Sequence, residues 1–128
     1  MDLRMLLWAS VLGGLGVGLG AFGAHALRRK LDEPSLALFE TGVRYQMYHA
    51  LALFGIGAVA ARLPGSGLPM LAGWCFVAGT LLFSSSLYVL AIGGRRAVGA
   101  ITPIGGLLLV IGWMLVMIAA VRALTIVV

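Results

Sequence analysis

From residue 5 to residue 27 the chain runs for 23 residues without an acid, a lysine or an arginine. As a helix this run is about 34 Å long at 1.5 Å per residue, enough to cross a hydrocarbon core of about 30 Å. Ala24-His25-Ala26 imitates the cleavage site of a secretory signal. The run is longer than the usual signal core of about 7 to 15 residues, so a retained span is the expectation.

The rest of the chain points to the same solvent. Of 128 residues, 62% are hydrophobic and 10% charged, and the mean hydropathy is +1.10, far outside the range of a soluble domain. The connections between apolar runs are too short to hold a second domain, so a single unit over residues 1–128 is expected. The net charge of +5 comes from residues near helix ends. It reads as membrane topology and contact with anionic lipid, and a nucleic-acid partner, which would need a basic face on a soluble module, is not expected. Cys75 is the single cysteine, so no intrachain disulfide can form, and a zinc-ribbon site lacks its ligands.

The fold expected is all-α: a four-transmembrane-helix bundle with helices at about 5–27, 34–61, 68–92 and 103–121. The connection from Arg28 to Thr41 is the longest polar one. Pro34 suits a first helical turn, with Asp32 or Glu33 as its cap. A helix over 34–61 is about 42 Å long, so its first two turns should stand in the headgroups or cytosol as a short amphipathic extension. Glu40 and Arg44 are spaced to pair across one turn, and a break at Gly42 is the alternative. Pro69 falls where a third helix tolerates it, and Thr102-Pro103 fits a cap followed by proline at the first helical position.

Orientation follows from the basic residues of the short loops. The first and third connections carry Arg28, Arg29, Lys30, Arg44, Arg95 and Arg96, whereas the termini and the middle loop carry Arg4, Arg62 and Arg122. Both termini should therefore lie outside the cytoplasm. Trp8 and Trp74 then fall together near the outer interface, while Trp113 lies nearer mid-membrane.

The first helix carries two stripes of small residues, one of Gly14, Gly18, Ala21 and His25, the other of Gly13, Gly16, Gly20 and Gly23. The pairs Gly14/Gly18 and Gly16/Gly20 suit close packing in lipid, either within one bundle or between two copies of the chain.

Four blocks identify a family. G-A-F-G-A-H-A-L from Gly20, Y-Q-M-Y-H-A-L-A-L from Tyr45, F-S-S-S-L-Y from Phe83, and I-T-P-I-G-G followed by G-W from Ile101 stand in order along nearly the whole chain. They resemble the signature blocks of the bacterial YgdD/YwdK-like group, catalogued as domain of unknown function 423, with animal counterparts called transmembrane protein 256. Ser85 departs from the glycine usual in the third block, which would loosen the close approach expected there. The resemblance implies a small multi-pass inner-membrane protein and brings no activity, substrate or catalytic residue.

The chemistry-bearing residues gather toward one membrane face in this reading. From Glu40 to Leu53 a polar, aromatic and charged segment passes without a break into an apolar one, and at helical spacing Gly42, Tyr45, Gln46 and His49 share a side. Polar groups at that depth are expensive and should point at the other helices. His25 ends the first helix, Ser84, Ser86 and Tyr88 lie late in the third, and Thr102 starts the fourth, so all should meet on the cytoplasmic side.

Three functions fit such a cluster. It can be an interhelical hydrogen-bond network of a packing or interaction module. It can be a polar pocket for a lipid headgroup, with Arg28, Arg29, Lys30 and Arg44 as contacts. Proton-coupled transport of a small solute through His25 and His49, expected to approach each other, is the third, weakened because no Asp or Glu lies inside an apolar run. An enzyme is not expected: no Ser-His-carboxylate set stands at plausible depth. No metal is expected either, since two histidines fall short of the three or four ligands zinc takes. No phosphate-binding glycine loop follows a strand, so no cofactor is expected.

Overall fold

In the computed structural model, which describes residues 1–127, the chain forms four α-helices: α1 (Leu3–His25), α2 (Glu33–Arg62), α3 (Leu68–Ala91) and α4 (Ile101–Val127). The Asp2 carboxylate starts α1 by accepting from the backbone N–H of Arg4 at 2.9 Å and Met5 at 3.4 Å. Asp32, not Glu33, caps α2, accepting from the Ser35 N–H at 3.0 Å, with Pro34 in the first turn. These are the donors a helix start leaves without partners. α2 then runs unbroken through Gly42. After α3, Gly93 turns the chain with φ 91°, a conformation that glycine adopts without a side-chain clash. A 3-10 turn over Arg96–Ala100 leads into α4.

Among the described residues three segments are long and apolar enough to cross a membrane: Leu3–Arg29, Leu68–Ala91 and Arg96–Thr125. α2 is not among them, which departs from the expectation of four spans. Its deficit comes from Tyr45, Gln46, Tyr48 and His49, polar or amphipathic side chains in the middle of a 30-residue helix. α4 begins two residues earlier than expected, so Thr102 lies inside the helix and does not cap it.

The helices alternate in direction. The Asp2 N–H donates to the Gly57 carbonyl at 3.0 Å, which sets the start of α1 beside the end of α2. The loop over 63–66 lies against Ala119, Arg122 and Ala123 of α4, so the start of α1 and the far part of α4 share one end of the bundle. α2 packs against both α1 and α3, and α4 packs mainly on α3.

A core of Met5, Ala9 and Leu12 from α1, Ala50, Leu53 and Ile56 from α2, Ala72, Phe76 and Val77 from α3, and Leu109 from α4 fills that end and the middle. Leu27, Phe39 and Ala91 close the other end. Between helices in lipid, packing replaces the hydrophobic effect, and small residues set how closely backbones approach. The closest approach joins α3 and α4. A Cβ on Gly105 would press on the Phe83 backbone, and one on Gly79 would lie 2.7 Å from the Leu109 side chain and 3.0 Å from the Gly105 carbonyl.

Candidate functional site

The polar face of α2 points inward. Gly42, Gln46 and His49 are buried, while Tyr45 stays 40% exposed at the edge of that face, its ring 4.8 Å from that of Phe83. Gln46 joins three helices. Its Nε2 donates to the Leu12 carbonyl of α1 at 2.8 Å, and its Oε1 accepts from the Tyr88 hydroxyl of α3 at 2.8 Å. Ser84 Oγ donates to the Gly42 carbonyl at 2.7 Å. A Cβ on Gly42 would lie 2.6 Å from the Tyr88 ring, so glycine is what lets α3 come close there.

His49 continues this network toward α4. Its Nδ1 lies 2.8 Å from the Tyr45 carbonyl, and the Trp113 indole N–H donates to its Nε2 at 3.2 Å. An indole nitrogen can only donate and a carbonyl can only accept, so the geometry requires the neutral Nδ1–H tautomer. The His49 ring packs beside those of Phe76, centroids 5.1 Å apart, and Trp113, 6.1 Å apart. Farther along, Ser86 Oγ and Thr102 Oγ1 are 2.6 Å apart and tie α3 to α4. Thr102 thus spends its hydroxyl on the neighbouring helix, where the sequence suggested a cap.

The network lies deeper than the sequence implied. Gly23 faces Phe39 and Gly13 faces Ala50, so Gln46 and His49 are level with the middle of α1. His25 is exposed at the end of α1 and takes no part in these bonds. Its backbone stands about eleven residues of rise, roughly 16 Å, from the level of His49. The structure therefore brings Gln46, His49, Ser84, Tyr88 and, through Ser86, Thr102 into the helix interfaces, and leaves His25 outside.

Arg28, Arg29, Lys30 and Arg44 are all exposed. Among the described residues the one ion pair is Arg4–Asp2 at 3.1 Å; Glu40 and Arg44, though one turn apart, do not pair. Ser85 is exposed, so its side chain does not loosen the helix contacts as the resemblance implied. Of the glycine pairs, Gly16 and Gly20 are occupied by Met47 and Val43 of α2, whereas nothing lies within 4 Å of a Cβ on Gly14 or Gly18.

Sequence reasoning missed Trp113 and Thr80. Trp113 follows a glycine in an apolar run, and only the fold sets it over His49. Thr80 is buried with its hydroxyl unpartnered among the described residues; its i+4 spacing to Ser84 was the available signal. Among the described residues no three His, Cys, Asp or Glu side chains come together. Three cavities of about 410, 280 and 220 Å³ open on the bundle surface, and none of these three is lined by Gln46, His49 or Tyr88. The largest lies between the 63–66 loop and α4, away from the polar network.

Long apolar helices joined by buried polar contacts define an integral membrane protein. The chain belongs to the family described as protein of unknown function (DUF423), whose profile matches residues 19–106. It is 51% identical over 78 residues to the UPF0382 membrane protein YwdK of Bacillus subtilis, covering 61% of this chain and 63% of that protein. It is 37% identical over 91 residues to the UPF0382 inner membrane protein YgdD of Escherichia coli, covering 69% of this chain and 66% of that protein. The match thus spans a little under two thirds of these relatives' length. No solved structure matches the chain.

Proposed function

We propose that the protein is a four-span, non-enzymatic packing module of the bacterial inner membrane, whose buried polar residues hold its helices in register. The observation that carries this reading is Gln46, buried at 4% exposure with both ends of its amide bonded, one to α1 and one to α3. This amide has its carbonyl oxygen and one N–H committed to neighbouring helices.

α2 crosses the bilayer with the others in this reading. Hydropathy counts every side chain as if it faced lipid, but Gln46 and His49 face protein and leave Leu51, Phe54 and Val59 outward. The excess of Arg and Lys in the first and third connections puts both termini outside the cytoplasm. Ion-coupled transport is less well supported, because it needed His25 and His49 in one cluster. Membrane lipids are the proposed partners. For a second copy of the chain, only Gly14 and Gly18 of the four glycines are free.

The test is Gln46→Leu, purified in detergent. The packing role predicts a protein that unfolds more readily, since the half-buried Tyr88 hydroxyl loses its acceptor. A variant as stable as the parent would refute that role.

A further inference from the structure

Arg44 is exposed on α2 beside a groove of about 280 Å³ lined by Gly20, Gly23, Phe39, Glu40 and Val43. It runs along the seam where Phe39 and Val43 of α2 pack onto glycines of α1; a Cβ on Gly23 would lie 2.9 Å from the Phe39 ring, and one on Gly20 would lie 3.3 Å from Val43. Its floor is apolar, it opens on the outer surface of the bundle, and its charged groups are Arg44 and Glu40.

Depth makes Arg44 informative. Val43 is level with Gly20, so the Arg44 backbone lies about six residues, roughly 9 Å, inward of the His25 end of α1. A guanidinium at that depth is costly without a partner and reaches toward the headgroups for one. Among the described residues no carboxylate pairs with it. The same end of the bundle exposes Arg28, Arg29, Lys30, Arg95 and Arg96 against Asp32, Glu33 and Glu40, so it presents excess positive charge to the leaflet.

We propose that this groove seats one anionic phospholipid, with part of an acyl chain along the seam where Phe39 and Val43 meet α1 and the phosphate on Arg44. One molecule supplies both the apolar filling and the anion. The site is distinct from the buried polar network, where the sequence had suggested a headgroup pocket. Glu40, one turn nearer the end, repels the phosphate and confines it to Arg44. The inference rests on α2 crossing the bilayer.

The experiment uses the full chain in nanodiscs of phosphatidylcholine doped with phosphatidylglycerol, released into mild detergent and weighed by native mass spectrometry. Arg44→Gln should lose phosphatidylglycerol adducts several-fold, Arg44→Lys should recover part of them, and Glu40→Gln should match or exceed the parent. Arg28→Gln, outside the groove, should change little. Adducts unchanged in Arg44→Gln, or lost equally in Arg28→Gln, would overturn the site in favour of diffuse charge attraction. Equal retention of phosphatidylcholine would overturn its preference for an anionic headgroup. Should Arg44→Gln not fold, Glu40→Gln decides, since a fall in its adducts contradicts the proposal. The crossing of α2 is checked separately with Ser66→Cys in a Cys75→Ala background. A thiol labelled only from the cytoplasm would overturn the topology whatever the lipid result.

Discussion

The Trp113 indole N–H points at the bare Nε2 of His49, 3.2 Å away, across the boundary between α4 and α2. Since α4 packs mainly on α3, this bond couples the outer helix to the helix that holds the polar network. Trp113→Phe preserves much of the ring contact with Phe76, centroids 5.0 Å apart, and removes the donor. The expected loss is about 0.6 kcal/mol, the average for interhelical bonds in membranes, and at most about 1.7 kcal/mol, read from unfolding in detergent or bicelles. Nitrogen NMR of the imidazole should report the neutral Nδ1–H tautomer; an Nε2–H ring would mean the bond is not made.

The Gln46–Tyr88 contact supports a double-mutant cycle. Tyr88→Phe or Gln46→Leu alone leaves a buried group without its partner, at about 1 to 3 kcal/mol. Together they leave an apolar contact, and the double variant should lose less than the sum of the singles. Strict additivity would mean that the two groups do not interact.

Two glycines make opposite predictions. Gly105→Ala drives a methyl group into the Phe83 backbone and should cost about 1 to 3 kcal/mol or more, because helix backbones must separate. Gly14→Ala meets open space and should leave stability equal or higher, alanine being the better helix former by about 1 kcal/mol. Thermal unfolding of the two variants side by side is the measurement, and a Gly105→Ala protein as stable as the parent would contradict the α3–α4 crossing.

The Asp32 carboxyl is held below its ordinary range by hydrogen bonds from Ser35. A carboxyl depressed on folding stabilises the fold above its unfolded-state pKa, and that contribution fades as pH falls through the folded value. Wild type should therefore exceed Asp32→Ala in stability near neutral pH, and the gap should close in acid. A gap independent of pH would show that the charge of the cap is immaterial.

A reporter fused to the C-terminus tests orientation. Activity of a periplasmic reporter is expected; activity of a cytoplasmic one would invert the bundle and place the basic end outside.

Much of the architecture lay in local pattern. Uninterrupted apolar runs make α1, α3 and α4 helices of membrane length, and Asp32-Glu33-Pro34 marks the start of α2 because capping and proline geometry are properties of a few neighbouring residues. The inward face of Gly42, Gln46 and His49 was legible too, since helical spacing alone puts them on one side. Contact between helices was not. Which carbonyl Gln46 reaches, that Trp113 covers His49, that Thr102 bonds Ser86 and that His25 stands apart all depend on how far one helix slides along the next. That register is decided by close packing at Gly16, Gly23, Gly79 and Gly105. A glycine in sequence says only that a neighbour can come close; tertiary structure decides which neighbour does, because the contact forms between surfaces brought together from distant parts of the chain.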